Sequence, residues 1–409
     1  MKAKKLTTMI LFGMVLGILT GYAWRLLAPD QESVKAYVDS MGIFTEIFLR
    51  LIKMIIAPLV FATLVSGIAK MGDSKSVGRV GIKTMTWFIC ASLISLLLGL
   101  VMVHLLQPGL SLNLPLPDIH SHTGIEKSVL SFKQFIIHAF PSSLFDALAR
   151  NEILQIVIFS LFFGCATAAL GERAKLLVDL IDVVAHIMLK ITTYVMSVSP
   201  LAVFGAISAT IAEKGLGILS TYGQFMGKFY LSMSVLWLTL IFIGFLFLGR
   251  RVFTLIRATR GPLLLAFSTA SSEAAYPKTL EQLERFGCPN KIASFVLPMG
   301  YSFNLDGSMM YCTFATLFIA QAYGINLTLS QEISMLLILM LTSKGMAGIP
   351  RASLVVIAAT LGQFNIPEAG LLLLLGVDHF LDMGRAATNV VGNAIATAVV
   401  TKWEGELKN

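Results

Sequence analysis

The stretch Gly300-Tyr-Ser-Phe-Asn-Leu-Asp-Gly-Ser308 places polar residues in the middle of an apolar segment, 294–324. Two further apolar segments are interrupted in a similar way, one by STASSEAAYP at 268–277 and one by TSKGMAGIP at 342–350. Each break frees backbone amide and carbonyl groups that hydrocarbon cannot satisfy. We therefore expect all three breaks to be buried in protein or to line a wet cavity.

The interrupted segments also form a repeat. A segment with a serine-rich, proline-ended break precedes a span that carries Asn and Gly, first within 255–324 and again within 329–402. Paired interruptions in corresponding positions are typical of transporter sites made from re-entrant hairpins and unwound helices. Two unrelated proline-kinked helices are the alternative interpretation, and the similar placement of the two breaks disfavours it.

The composition of the whole chain requires a lipid environment. Of its 409 residues 56% are hydrophobic and 13% are charged, and its mean hydropathy is +0.80, whereas soluble domains carry about 25% charged residues. Connections rich and poor in Lys and Arg alternate along the chain, which predicts six spans before the interrupted region and cytoplasmic termini. The net charge of +8 lies mainly in these connections, so it does not indicate nucleic-acid binding. The six apolar segments lie at about 7–29, 43–70, 82–107, 131–170, 176–213 and 222–249.

Several classes of protein find no support in the sequence. Four scattered cysteines without CxxC spacing predict neither a zinc site nor a disulfide framework. The chain lacks HExxH, P-loop and GxSxG motifs, so we expect neither an enzyme nor an ATP-driven pump, and no metal or cofactor. The basic, apolar N-terminus could be a signal peptide, but it has no clean cleavage site, so we expect a retained first span.

The last span carries a stripe of polar residues. Asp382, Arg385, Asn389 and Asn393 follow one another at intervals of 3, 4 and 4 residues, which places them on one face of a helix. Asp and Arg are costly at membrane depth, so their presence needs a reason. They could pair only to lock the bundle. Alternatively, Arg385 binds a substrate carboxylate and Asp382 a substrate ammonium, and we favour this second interpretation because the broken segments converge on the same region.

With these motifs the chain resembles the dicarboxylate/amino acid:cation symporter family, which includes the glutamate transporters, and within it the bacterial proton/glutamate-aspartate symporters. The resemblance begins in the second span and is sharpest in the last third of the chain. The matching motifs are FLRLIKMIIAPLVF at 48–61, SSE at 271–273, GYSFNLDGS at 300–308, SKG at 343–345, PRAS at 350–353, and LDMGR at 381–385 extending to Asn389.

The resemblance implies an all-α membrane protein with eight transmembrane helices, two re-entrant helical hairpins, inverted repeats and an elevator mechanism. It implies a homotrimer in the bacterial inner membrane, with both termini cytoplasmic. The implied scaffold comprises residues 1–75 and 109–220, and the implied transport domain comprises residues 76–108 and 221–409. The implied function is import of glutamate or aspartate.

The resemblance also implies the roles of individual residues. Arg385 and Ser308 would hold the side-chain carboxylate of the substrate, and Asp382 its amino group. Asn389 and the backbone around Ser272 would hold the α-carboxylate. The gate would lie at the tip of the second hairpin, near Gly348 and Ile349. Ala386 stands where the family usually has threonine after the arginine, so the amine site is expected to be looser.

Departures from the family pattern concern the coupling ions. Asn393 stands where sodium-coupled members have an Asp, Ala91 replaces a threonine although Ser92 remains, and Lys344 lies where a sodium site forms at the second hairpin tip. We therefore expect proton coupling, although the retained Asn304 and Asp306 leave room for one sodium ion. Asp306 could instead simply cap the broken helix.

The acid that carries the proton is a separate question. Cys312 stands where animal relatives place a proton-carrying Glu, so the candidates are Glu273, at the first hairpin tip, and its rivals Asp306 and Asp378. Glu273 could also merely cap a short helix.

Other transported substrates and mechanisms stay open at this point. Carriers of C4-dicarboxylates such as succinate, malate or fumarate share the 300–308 and 343–345 motifs but lack an acid at the Asp382 position, so Asp382 favours an amino acid. A passive anion channel could use the same arginine. The sequence does not rank glutamate against aspartate, and it fixes neither stereochemical preference nor ion stoichiometry.

Overall fold

A computed structural model describes residues 3–71, 74–111, 137, 139–215, 217–343, 352–375 and 377–408. Within these ranges every regular element is a helix, so the all-α prediction is confirmed. Five described segments are long and apolar enough to cross a bilayer. They are Thr8–Leu27, Gln31–Ala69, Lys75–Leu110, Ile153–Met196 and Tyr222–Leu248.

The first part of the chain follows the predicted apolar segments with three differences. The segment predicted at 176–213 is two helices separated at Ser197 and Val198, because Pro200 favours the first turn of a new helix. The helix predicted from residue 43 already begins at Gln31. Within the described part of the segment predicted at 131–170, a short helix at Leu144–Arg150 precedes a longer one that starts at Ile153. The helices are α1 (Ala3–Leu27), α2 (Gln31–Met71), α3 (Ser74–Leu106), α4 (Leu144–Arg150), α5 (Ile153–Leu170), α6 (Lys175–Met196), α7 (Ser199–Lys214) and α8 (Gly217–Leu248).

In the second part of the chain, two of the predicted breaks end helices at the expected places. In the first break Ala270 adopts a left-handed conformation (φ +50°), and a short 3₁₀ turn follows at Glu273–Ala275. In the second break the helix ends at Phe303 and a new helix begins at Asp306. Of the third break, predicted at 342–350, Thr342 ends a helix and Ser343 follows it as the C-cap, and the remaining residues lie outside the described ranges. The helices are α9 (Arg251–Thr269), α10 (Tyr276–Phe286), α11 (Asn290–Phe303), α12 (Asp306–Ala322), α13 (Leu329–Thr342), α14 (Ala352–Gln363), α15 (Leu371–Leu375) and α16 (Asp378–Trp403).

The helices pack in two groups. In the first group α1 lies against α7, and α2 lies against α5, α6 and α7. In the second group α16 is central and contacts α3, α8, α9, α11 and α12. The groups meet mainly where α11 lies against α2 and α5 and where α9 lies against α1 and α7. This packing places the polar stripe of α16 inside the second group, away from lipid. The division into a scaffold and a moving unit stays a prediction.

Basic connections lie at one end of the molecule, next to the C-terminal segment. Arg79 and Lys83, at the start of α3, form ion pairs with Glu404 at 2.9 and 2.7 Å. Arg251, at the start of α9, donates to the carbonyl of Lys408 at 2.6 Å. Burial alone would raise the pKa of Glu404, but the hydrogen bonds and charges of its two partners outweigh burial and lower that pKa below its ordinary value. The basic residues at the starts of α3 and α9 therefore share one side with the end of the chain.

Candidate substrate and ion site

Helix α16 presents a single polar face to the helices around it. Asp378 extends the predicted stripe by one turn, since it precedes Asp382 by four residues. The side chains of Asp382 and Arg385 are only 18% and 17% exposed, and Asn389 and Asn393 are buried. Buried polar groups of this kind are costly unless they are hydrogen-bonded, so their partners identify the site.

Arg385 lies at the centre of a hydrogen-bonded group. Its Nε donates to Asp382 Oδ1, and its Nη1 donates to Ser308 Oγ at 3.0 Å. Asn389 Nδ2 donates to the same hydroxyl at 3.3 Å. The ion pair that the sequence analysis considered is therefore formed, and the structure brings together four of the predicted substrate residues: Asp382, Arg385, Asn389 and Ser308. A cation, an anion and a hydroxyl group placed side by side can bind a molecule that carries both charges.

The break before α12 is held by the same face of α16. The side-chain oxygen of Asn389 accepts from the backbone N–H groups of Gly307 and Ser308, at 2.9 and 3.3 Å, and so caps the start of α12 from another helix. A methyl group on Gly307 would overlap the carbonyl of Arg385, which explains why the motif has glycine there. The side-chain oxygen of Asn389 thus caps α12, while its amide nitrogen donates to the Ser308 hydroxyl.

A second polar cluster surrounds Asp306, which is fully buried. Its carboxylate accepts from Asn304 Nδ2 and from Ser95 Oγ, both at 3.1 Å. Asn304 Nδ2 also donates to Asn393 Oδ1 at 3.1 Å. Opposite Asp306, a methyl group on Gly392 would overlap the carboxylate. The structure therefore unites the predicted ion-site residues Asp306, Asn304 and Asn393.

Two polar atoms of this cluster have no hydrogen-bond partner among the described residues. They are Asn304 Oδ1 and Asn393 Nδ2, one an acceptor and the other a donor. The predicted Ser92 lies nearby on α3, where its hydroxyl donates to the carbonyl of Phe303 at 3.4 Å. No group of three or more His, Cys, Asp or Glu suited to a metal ion occurs in the part of the chain that the structure describes. The cluster is instead built from one carboxylate, amides, hydroxyls and freed backbone.

Ser95 and Tyr311 are two site residues that were not predicted from the sequence. Ser95 follows Ser92 by three residues, and this helical spacing was the available signal. Tyr311 donates its hydroxyl to Asp378 Oδ1 at 2.7 Å, in a buried contact between α12 and α16. Tyr311 was invisible because its partner is distant in sequence. The predicted acid Asp378, at the start of α16, therefore already accepts a hydrogen bond from Tyr311.

Glu273 and Ser272 lie apart from the Asp306 cluster. Glu273 is half-buried and lines a small cavity between the two helix groups, together with Ile56, Ile153 and Tyr301. Ser272 is buried, and its carbonyl accepts a hydrogen bond from the Ala275 N–H. Among the described residues it forms no hydrogen bond with Arg385. Glu273 thus lies at the boundary of the two groups rather than in the ion cluster.

The described parts of the predicted second hairpin are α13 and α14, which each contact α12 near the Arg385 group. Ser343 Oγ lies 3.4 Å from Met309 Sδ, and Cys312 Sγ lies 3.9 Å from the carbonyl of Ser353. Met309 and Cys312 follow Ser308 on α12 by one and four residues, so the end of α13 and the start of α14 lie close to the Arg385 group. The predicted gate and ion residues Lys344, Gly348 and Ile349 lie outside the described residues.

Comparison with known proteins shows what this chain is similar to. The profile of the sodium:dicarboxylate symporter family matches residues 6–403. The chain is 38% identical over 405 residues to a proton/sodium-glutamate symport protein of Bacillus subtilis, a match that covers 98% of this chain and 93% of the relative. It is also 38% identical over 407 residues to a C4-dicarboxylate transport protein of the same organism, covering 98% and 94%. A C4-dicarboxylate transport protein of Cupriavidus pinatubonensis is 41% identical over 417 residues, covering 99% and 93%.

Proposed function

The chain belongs to the sodium:dicarboxylate symporter family, and from this premise we propose that it imports glutamate or aspartate together with protons. The family predicted from the sequence motifs is confirmed, and with it the expectation that the protein is a transporter and not an enzyme. The observation that carries the choice of substrate is the Asp382–Arg385 pair beside the Ser308 hydroxyl.

Charge complementarity supports an acidic amino acid. The side-chain carboxylate of the substrate would replace Asp382 as the partner of Arg385, and the ammonium would replace Arg385 as the partner of Asp382. Every buried charge then keeps an opposite charge beside it, which a buried ion pair requires. A C4-dicarboxylate would instead bring a second carboxylate toward Asp382. It is the second candidate substrate, because relatives of equal similarity carry that name.

The Asp306 cluster supports proton coupling. Asn393 supplies an amide where a carboxylate ligand would serve sodium, and it is already hydrogen-bonded to Asn304. A single carboxylate, that of Asp306, remains in the cluster. Hard cations prefer several charged or carbonyl oxygens, so the loss of one carboxylate weakens a sodium site. Sodium coupling through Asp306 is the alternative.

Glu273 is the proton carrier that we propose, with Asp306 and Asp378 as rivals. It faces apolar side chains of the first helix group, among them Ile56, Val60 and Ile153. An ionised carboxylate is costly next to such a surface, whereas a protonated one is not. If the second group slides past the first, Glu273 must be neutral during that step. Asp306 and Asp378 each accept hydrogen bonds within their own group.

The proposed mechanism is an elevator. Residues 76–108 and 221–409 would move as a transport domain against a scaffold formed by 1–75 and 109–220, in a homotrimer in the bacterial inner membrane with cytoplasmic termini. Moving one net negative charge into a cell at −100 mV costs about 2.3 kcal/mol, which a single proton only cancels. Two or more coupled cations are therefore required before the voltage assists uptake.

Uptake into proteoliposomes with separate gradients tests the proposal. A pH gradient without sodium should drive accumulation of labelled aspartate above equilibrium, and a sodium gradient at constant pH should not. Glu273→Gln should lose this pH-driven accumulation but keep aspartate exchange. Glu172→Gln removes the same charge from an exposed turn and serves as the control. Accumulation driven by sodium alone, or a Glu273→Gln variant that still responds to pH, would contradict the coupling that we propose.

A further inference from the structure

Helix α16 has a second face, opposite the polar stripe, that borders a cavity. Gly384, Ala387 and Thr388 lie on this face, roughly half a helical turn away from Arg385 and Asn389. The cavity has a volume of about 600 Å³, is lined by residues of α8, α9 and α16, and is open on one side. Sites for small molecules have volumes of about 300–1,000 Å³, so this one can hold a substantial ligand.

The lining of the cavity suits hydrocarbon rather than water. Its walls include Trp237 and Leu238 of α8 and Leu264 and Phe267 of α9. The indole N–H of Trp237 donates to the Thr388 hydroxyl at 2.7 Å, so this polar pair is satisfied within the wall. A cavity needs several free polar partners to hold ordered water, and one with a mostly apolar wall binds apolar groups.

The mouth of the cavity is continuous with the lipid-facing surface. Leu238, in its wall, is 68% exposed, and Phe242, one turn further along α8, is 61% exposed. In a membrane protein such side chains face acyl chains of the bilayer. A lipid tail can therefore enter the cavity from the side without crossing water.

Two arginines lie on the same stripe of α9 as the cavity wall. Arg257, Arg260, Leu264 and Phe267 are spaced by 3, 4 and 3 residues, so they share one helical face. Both arginines are exposed, and neither has an ion-pair partner among the residues that the structure describes. Arg260 precedes Phe267 by about 10 Å along the helix axis. The two positive charges thus lie on the same surface as the apolar cavity, between the cavity and the start of α9.

The arginines lie toward the turn that joins α8 to α9. Helix α8 is about 48 Å long, and its apolar span, Tyr222–Leu248, ends at this turn, which places the turn at one surface of the hydrocarbon layer. Close to this end, Trp87, Phe247 and Trp403 stack edge to face with ring centroids 5.3–5.8 Å apart. Tryptophan is enriched at the membrane–water interface, and two of these three rings are tryptophans. Flexible arginine side chains can reach headgroup depth from here.

We propose that this cavity binds an anionic phospholipid of the leaflet that faces the α8–α9 turn. One acyl chain lies between α8, α9 and α16, and the phosphate lies between Arg257 and Arg260. Guanidinium groups bind phosphate oxygens in bidentate geometry, and basic pockets between helices are known to hold lipid headgroups. The lipid packs against the back of the helix that carries Arg385, and its binding does not depend on which substrate or ion is transported.

Native mass spectrometry of the delipidated full-length protein tests this inference by titration with dioleoyl phosphatidylglycerol. The parent should take up one phosphatidylglycerol more tightly than it takes up phosphatidylcholine of the same chain length. Replacing both arginines (Arg257→Gln with Arg260→Gln) should weaken binding about 30-fold. The double change Arg173→Gln with Lys175→Gln removes equal charge from exposed positions at the start of α6 and in the turn before it, and should leave binding unchanged.

A cavity-filling variant separates the acyl-chain site from the headgroup site. Ser234 is exposed and lines the cavity, so Ser234→Trp should exclude the acyl chain and abolish the tight site. Leu231→Trp adds the same ring to α8 outside the cavity and should bind lipid as the parent does. Should Ser234→Trp fail to fold, the exposed arginine pair still decides the matter. Equal binding of both phospholipids by the parent, or unchanged binding after loss of both arginines, would overturn the proposal.

Discussion

Replacing Asp382 with Asn removes one charge from the pair with Arg385 while preserving the size of the side chain. Both side chains are more than four-fifths buried, so solvent screens their interaction with a ligand only weakly. A hydrogen bond to a charged group contributes about 1.5–3 kcal/mol. We therefore expect Asp382→Asn to weaken aspartate binding about 10- to 150-fold, since the ammonium of the substrate loses its counter-ion.

Succinate should respond in the opposite direction. It has no ammonium to lose a partner, and its second carboxylate no longer meets the charge of Asp382. The assay is uptake of labelled aspartate into proteoliposomes, with succinate added as a competitor. Succinate should compete poorly with aspartate in the parent and strongly in the Asp382→Asn variant.

A matched control makes this change in selectivity specific to the site. Asp146→Asn alters an exposed pair with Arg150, whose atoms are 2.9 Å apart and whose side chains are 50% and 70% exposed. It should change neither affinity. The reasoning is refuted if Asp382→Asn binds aspartate like the parent, or if succinate already competes strongly in the parent, which would assign the site to C4-dicarboxylates.

Two further substitutions test the ion cluster and the basic end of the molecule. Gly392→Ala places a methyl group against the Asp306 carboxylate, so it should lower stability by about 1–3 kcal/mol and impair coupled uptake. The control Gly78→Ala, whose methyl group meets no atom within 4 Å, should change neither property. A thermal-shift assay measures stability, and a proteoliposome assay measures uptake. Glu404→Gln should lower stability at neutral pH by about 1 kcal/mol. Because the pKa of Glu404 is lowered in the folded protein, its contribution to stability is present above pH 4.5 and disappears as the pH falls through the folded pKa. The Tm difference between Glu404→Gln and the parent should therefore shrink in acid. A difference that stays constant with pH would show that these ion pairs do not stabilise the fold.

The sequence was most informative where the physical constraint was local. Residues that interrupt an apolar segment must change the backbone, so the breaks at Ala270 and at Asn304 could be predicted to within a few residues. The spacing of Asp382, Arg385 and Asn389 placed them on one helical face, and the structure joins that face to Ser308 of α12.

Contacts between distant segments were beyond local inference. The hydrogen bond from Ser95 to Asp306 joins residues 211 positions apart, and that from Tyr311 to Asp378 joins residues 67 apart. Tyr311 matches no local pattern, and the helical spacing of Ser95 from Ser92 does not identify Asp306 as its partner. The cap that Asn389 provides for α12 was missed for the same reason, since capping residues usually lie next to the helix that they cap.

Helix boundaries were least predictable where a helix extends beyond its apolar residues or where a break lies within an apolar segment. Helix α2 extends back to Gln31, through polar residues that face solvent at the start of the helix, so hydropathy alone placed its beginning too late. The division of 176–213 into α6 and α7 depends on Pro200, whose ring favours the first turn of a helix and leaves no hydropathy signal.

Accumulation of labelled aspartate by Arg385→Gln proteoliposomes under an imposed pH gradient tests most directly whether α16 carries the substrate site. The account predicts that this variant loses accumulation, while Arg50→Gln, which alters an exposed pair with Glu46 on α2, accumulates aspartate at the parent's rate. Full accumulation by a correctly folded Arg385→Gln protein would show that the buried guanidinium does not bind the substrate.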